Sequence, residues 1–274
     1  MKTGLIFILF TFITISCLNA QRNCVSKSYQ LEAFAKDAAL KNNVVAIESF
    51  IARQQTQNTT EGNRIESTII KIPVVVHILY HSPEQKLTDA VVQNQVKILN
   101  EAFRKQNADT ANIPARFKAL AADCEIEFQL ATSDPKRRYT NGITRKYTPI
   151  KEWEANDEMK YAAKMGTDAW DPKSYLNIWV CKLDNVSGYS SVIGGTTEND
   201  GIVLDFNAFD LNGTSAVSNL GKTVVHEVGH WLGLKHLWGD EYCGDDGITD
   251  TPKQSGNNVS CPSGVLISCG NGPN

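Results

Sequence analysis

Four residues near the C-terminal end of the chain carry the most specific chemistry: His226, Glu227 and His230 within one apolar-periodic stretch, and His236 just beyond it. The pattern over 219–234 predicts a helix. At about 100° per residue, His226 and His230 differ by only about 40° and share one face, a turn apart. Both imidazoles can then reach one cation at the usual Zn–N distance of roughly 2.0–2.1 Å. Glu227, beside the first of them, is placed to touch a water at the metal rather than the metal itself. In a continuing helix His236 would lie about 240° around from His230 and face away. The helix must therefore stop between them, and Gly233 tolerates the left-handed conformation that reverses a chain there. Three histidines with one open position is the ligand count of a catalytic zinc site, since structural sites are closed by four protein ligands. His77 and His81, on or beside an expected strand, read instead as structural.

The elements that must position this group alternate between strand and helix. Residues 72–79 are β-branched and almost continuous, as for a strand buried on both faces. Thr88 can cap a helix whose Val91, Val92, Val96, Leu99 and Phe103 form one apolar stripe. Strands are expected at 124–131 and 175–183, a helix at 152–164, and a short edge strand at 201–205. Strands alternating with helices imply a mixed α/β sheet.

The chain has 274 residues, 42% of them apolar and 21% charged, with a net charge of −3. That is room for one large or two small domains. The near-balanced charge excludes the basic footprint of a nucleic-acid or anionic-membrane binder. Lys2 followed by an apolar run of roughly 14 residues is too short to span a bilayer, which takes roughly 20, and Ala20 precedes a plausible cut. Residues 1–20 thus read as a signal peptide and the mature protein as secreted, to the extracellular space, periplasm or cell surface. Residues 31–51 carry helix-spaced apolar side chains, and 54–64 dissolve into a polar, turn-prone linker. Taken alone, 21–64 fits a removable pro-segment and a plain N-terminal helical segment equally well. The seven cysteines are an odd number, so they cannot all pair internally.

The long histidine motif is similar to that of the metzincin metallopeptidases, and its surroundings resemble the pappalysin family, in its bacterial cytophagalysin-like branch. The resemblance runs from about Cys24 to the last residue. It is carried by Ile72-Pro73-Val74-Val75-Val76-His77, Leu130-Ala131-Thr132-Ser133-Asp134-Pro135, Thr140-Asn141-Gly142-Ile143-Thr144-Arg145 and Leu176-Asn177-Ile178-Trp179-Val180, then by the histidine helix, Leu237-Trp238-Gly239-Asp240 and Asp250-Thr251-Pro252. It implies an α/β (α+β metzincin-like) fold: a twisted mixed sheet with a backing helix, the zinc helix and a smaller C-terminal subdomain. It also implies a secreted zinc endopeptidase with His226, His230 and His236 as zinc ligands and Glu227 as general base, acting as a monomer on protein or peptide substrates. An extended substrate would pair with an edge strand above the cleft, for which 201–204 is the candidate. No nucleic-acid partner is expected, and no membrane association after signal removal.

The family resemblance further implies domains at 21–64 (pro-segment) and 65–274 (catalytic). Cys24 matches the pro-segment cysteine that can occupy the open zinc position and keep the enzyme latent, although Val25 stands where the family often has a smaller residue. It suggests a disulfide between Cys243 and Cys269, with the partner of Cys261 further downstream; Cys124 and Cys181 could pair or remain thiols. Calcium at Asp246 and Thr251 is one reading of the acidic loop after the zinc helix, and a solvated turn is the other. The methionine-containing turn of metzincins should follow the third histidine, yet the methionines are Met1, Met159 and Met165. The expectation is therefore a catalytic domain truncated at its C-terminus, the alternative function being a non-catalytic remnant that binds zinc weakly or not at all.

Overall fold

A computed structural model describes residues 23–61, 68–209, 220–249, 251–258 and 268–270. The expected signal peptide, Cys17, Asp250, Cys261 and part of the expected linker lie outside the described residues. Among the described residues no helix is long and apolar enough to cross a membrane.

The β-branched run becomes the spine of the molecule, the strand β2 (Ile70–Tyr80), whose residues 74–79 are wholly buried. Its two halves pair on one side, in parallel, with β3 (Ile126–Leu130) and then β4 (Ile143–Tyr147), and on the other side with β5 (Leu176–Cys181). Pro73 is tolerated because the amides of Ile70 and Val76 point to the β3/β4 side, so its missing N–H falls on the other side, ahead of the β5 pairing that begins at Val74. Beyond β5 come β7 (Ile202–Asp205), parallel, and β6 (Val186–Ser190), the one antiparallel pairing. A two-residue strand β1 (Asn23–Cys24) closes that side in parallel with β6. The sheet is thus mixed, seven-stranded and ordered β1-β6-β7-β5-β2-β3, with β4 also on β2.

Helix α3 (Asp89–Phe103) starts where expected, with the Thr88 hydroxyl accepting from the Val91 amide. Its buried Val92, Leu99 and Phe103 pack with Val224 and Val228 of α4 (Lys222–Trp231) over Val74, Val76, Ile178 and Leu204 of the sheet. The opposite face is covered by Trp153, Met159 and Leu183 around Trp179 and Tyr189. At the N-terminus, α1 (Ser26–Lys36) and α2 (Ala38–Glu61) are separated at Asp37, whose carboxylate caps α2 through the amides of Ala39 and Leu40. Leu40 and Val44 of α2 bury themselves against Val192.

Two expectations are corrected. Residues 152–164 form no helix: only single 3₁₀ turns occur, at Glu158–Lys160 and Ala162–Lys164, bounded by positive φ at Asp157 and Met165. Tertiary burial overrides helical propensity there, because Trp153 bridges to Leu183 while Met159 and Lys160 are both wholly buried. The strand at β7 is not an edge but lies between β5 and β6, with all four residues buried. The strand that lies outside β7, next to β1, is β6, whose Ser187, Gly188 and Ser190 hide it from a propensity reading. Of the two alternatives open for Cys124 and Cys181, the structure has separate free thiols, one exposed and one buried. His77 is structural, as expected: its ring ties Thr144 of β4 (2.9 Å) to Asn177 of β5 (3.1 Å), and burial lowers its pKa to about 4.

Candidate active site

Helix α4 ends as its glycine demands. The Leu234 amide returns to the Gly229 carbonyl (3.0 Å) and the Gly233 amide to that of His230 (2.9 Å), with Gly233 at φ 95°. This reversal brings His236 back over the helix, stacked on Trp238 at 4.4 Å. The three Nε2 atoms then converge: His230 to His226 at 3.0 Å, His230 to His236 at 3.2 Å and His236 to His226 at 3.3 Å.

The outer nitrogens decide what these atoms can do. Nδ1 of His230 faces the Leu234 carbonyl at 2.8 Å, and Nδ1 of His236 faces the Asp240 carboxylate at 2.6 Å. Both partners are acceptors, so the neutral rings carry their protons on Nδ1 and leave Nε2 bare. Bare lone pairs gathered this closely repel unless a cation lies between them. Tetrahedral zinc with Zn–N of roughly 2.0–2.1 Å would set its nitrogens about 3.3–3.4 Å apart, close to the triangle present. The donor set therefore fits a metal of this type. Among the described residues, the one group of side chains close enough to hold an ion is Cys24 with these three histidines, all their donor atoms lying within 4.8 Å.

Glu227 points beneath the sheet edge and is completely buried. Burial pushes its pKa up to about 7. Gly188 of β6 makes room for it: a Cβ there would meet Glu227 Cγ at 3.2 Å and the Val203 carbonyl at 2.9 Å. One carboxylate oxygen, Oε1, has no hydrogen-bond partner. The other accepts from Ser26 Oγ at 3.1 Å and faces Cys24 Sγ at 3.9 Å. Ser26 Oγ itself accepts from the Ser190 amide at 3.2 Å, so one hydroxyl joins the N-terminal segment, the sheet edge and Glu227. Val25 is accommodated in the apolar cluster with Tyr189 and Val186.

The structure thus brings Cys24, His226, Glu227, His230 and His236 together. It joins Cys243 to Cys269 in a disulfide. Asp246 and Thr251 take part in a local turn, Asp246 receiving the Ile248 amide and Thr251 donating to the Ile248 carbonyl. Ser26, Gly188 and Asp240 were missed from sequence. Asp240, four residues after His236, had a usable signal as a carboxylate within reach of that imidazole; Ser26 had none, since its role depends on a strand pairing.

Residues 160–273 match the family model of Peptidase_M43, described as pregnancy-associated plasma protein-A. An extracellular metalloprotease of Verticillium alfalfae is 30% identical over 233 residues, covering 80% of this chain and 70% of the relative; one of Neurospora crassa is 26% identical over 269 residues, covering 87% and 82%. Among solved structures, a promirolysin mutant of Tannerella forsythia matches with a TM-score of 0.74 at 37% identity, covering 88% of this chain and 78% of its own. Mature mirolysin from the same organism, in complex with a cleaved peptide, matches with a TM-score of 0.69 at 42% identity, covering 72% and 76%. Motif, fold and relatives agree, and the chain belongs to the pappalysin family of metzincins, a family of metalloendopeptidases.

Proposed function

We propose that this chain is an exported zinc-dependent endopeptidase made as a zymogen, with residues 1–20 as signal and 21–64 as pro-segment. In this reading His226, His230 and His236 hold zinc, Glu227 is the general base, and Cys24 is the latency ligand. The observation that carries it is the triangle of three imidazole nitrogens, two of them with Nδ1 committed to an acceptor. Zinc bound there would supply a Lewis acid for the scissile carbonyl and a water of lowered pKa. Glu227 accepts the proton of the attacking water and passes it to the leaving amine. Its unpartnered Oε1, and the Oε2 vacated when Ser26 departs, are the atoms for this transfer.

The substrate edge moves from 201–204 to β6. With β1 gone, the backbone at Val186 and Gly188, which β1 pairs in register, would be open to an extended peptide. Latency is supported by the contacts of the N-terminal segment: it places a thiol among the histidines, a hydroxyl on Glu227 and a strand on β6. The greater coverage of this chain by promirolysin than by mature mirolysin accords with that division. Export is supported by the relatives, which are named extracellular metalloproteases. Among the described residues, Asp246 belongs to no group of three or more His, Cys, Asp or Glu side chains close enough to share an ion.

The test is Glu227→Ala in the full chain, compared with the unchanged protein for zinc content by mass spectrometry and for casein hydrolysis after pro-segment removal. One zinc retained with hydrolysis lost is expected. Activity surviving that change, or one zinc bound after His226→Ala and His230→Ala together, would overturn the reading.

A further inference from the structure

The wholly buried Lys160 and the nearly buried Asp157 take no part in the chemistry above. Burying such a pair is costly unless close geometry and further hydrogen bonds satisfy both charges. Asp157 sits at φ 68°, a left-handed conformation uncommon for a residue with a side chain. Its Oδ1 receives Lys160 Nζ at 2.8 Å and the Tyr189 hydroxyl at 3.0 Å, and its Oδ2 receives Asn199 Nδ2 at 2.8 Å. Those three donors come from the catalytic domain, so the carboxylate is built and aimed without the N-terminal segment. The fourth donor is the Tyr29 hydroxyl of α1, which bonds to Oδ2. The Tyr29 ring lies on Tyr189 at 4.9 Å between centroids, with the Lys160 ammonium 5.9 Å from its centre.

We propose that Asp157, Lys160, Tyr189 and Asn199 form a socket for a tyrosyl side chain, filled in the latent protein by Tyr29 as an anchor separate from the zinc site. The proposal rests on the latency reading above. A phenol is the fitting ligand on two grounds. Lys160 already balances the carboxylate, so an arginine or lysine side chain would bring an uncompensated charge into a buried place, whereas a neutral hydroxyl does not. The face of Tyr189 that Tyr29 covers and the nearby ammonium both favour an aromatic ring over an aliphatic alcohol. Tyr29 lies one helical turn after Ser26, so a helical α1 holds socket and cleft occupied together.

The experiment uses the full-length zinc-loaded chain and its Tyr29→Phe variant, which keeps the ring and removes only the hydroxyl. Alkylation of Cys24 by iodoacetamide is followed by peptide mass mapping, with exposed Cys124 as the internal standard for reagent activity. Loss of a hydrogen bond to a charged group should raise the Cys24 rate about tenfold. The same ratio should persist after zinc is chelated, because the socket is not at the metal. Amide exchange across 26–36 should quicken by a similar factor while that of β2 stays unchanged. Wild-type exchange rates across 26–36 in the variant would overturn the socket. A Cys24 that alkylates as fast as Cys124 in the unaltered protein, with or without zinc, would instead sink the latency role of Cys24; the exchange measurement still decides the socket.

Discussion

On the proposed latency reading, Ser26 offers a small change with a large expected consequence. In the closed protein its hydroxyl donates to the buried Glu227 carboxylate at 3.1 Å and accepts from the Ser190 amide at 3.2 Å. Ser26→Ala removes both bonds, together with the weaker donation from the Cys24 thiol to that hydroxyl at 3.3 Å, leaving Glu227 with only the Cys24 thiol at 3.9 Å. In the open form, with the segment lifted away, both groups meet water, so the loss falls on the closed form alone. A bond to a charged group contributes about 1.5–3 kcal/mol and a neutral one about 0.5–1.5 kcal/mol. The two share one hydroxyl and do not simply add. Taking about 2 kcal/mol for the pair, the open fraction should rise about 30-fold. Residual hydrolysis of a quenched fluorescent peptide by the unprocessed chain should rise by that factor, and amide exchange across 26–36 should quicken to match. The reasoning is refuted if Ser26→Ala stays as silent and as protected as the unaltered chain while Cys24→Ala becomes active.

Gly188→Ala puts a methyl 2.9 Å from the Val203 carbonyl and 3.2 Å from Glu227 Cγ; a destabilisation of about 1–3 kcal/mol in urea unfolding is expected. In the processed enzyme its kcat should fall with zinc content unchanged, and a neutral result by both measures would contradict the packing at β6. Asp240→Ala removes the carboxylate that orients His236, so competition with a chromogenic chelator should show zinc affinity lower by about 10–100-fold. Burial would raise the Asp157 carboxyl, but Lys160 and the Tyr29 and Tyr189 hydroxyls outweigh it and hold its pKa below the usual carboxylate value. Its contribution to stability is therefore complete above about pH 4 and lost as pH falls through the lower folded value. Thermal melts between pH 2 and 6 should show that loss, and Asp157→Asn should flatten this part of the profile.

The main strand and the histidine helix were legible because their signals are local. A continuous β-branched run can hardly do anything but lie buried in a sheet, and residues 74–79 do so. Thr88 capped its helix, and Gly233 ended the next one, for reasons contained in a few neighbouring residues. The failures share a cause of the opposite kind. Residues 152–164 have helical propensity but follow the burial of Trp153, Met159 and Lys160 against strands distant in sequence. The strand β6 has weak propensity, yet it forms because β7 offers it a partner.

The spacing of His226, Glu227, His230 and Gly233 by itself determined that a helix would present two imidazoles, set a carboxylate beside them and release a third histidine by a left-handed turn. These are consequences of helical pitch and glycine stereochemistry, which act within one turn of chain. What only the tertiary structure decided is what faces that group from elsewhere. Gly188 admits Glu227 beneath the sheet edge, Ser26 spans 201 residues of sequence to hold it, and Tyr29 spans 128 to reach Asp157. Such contacts depend on which strand occupies the edge of the sheet, and strand order follows from long-range pairing and burial that no local pattern encodes.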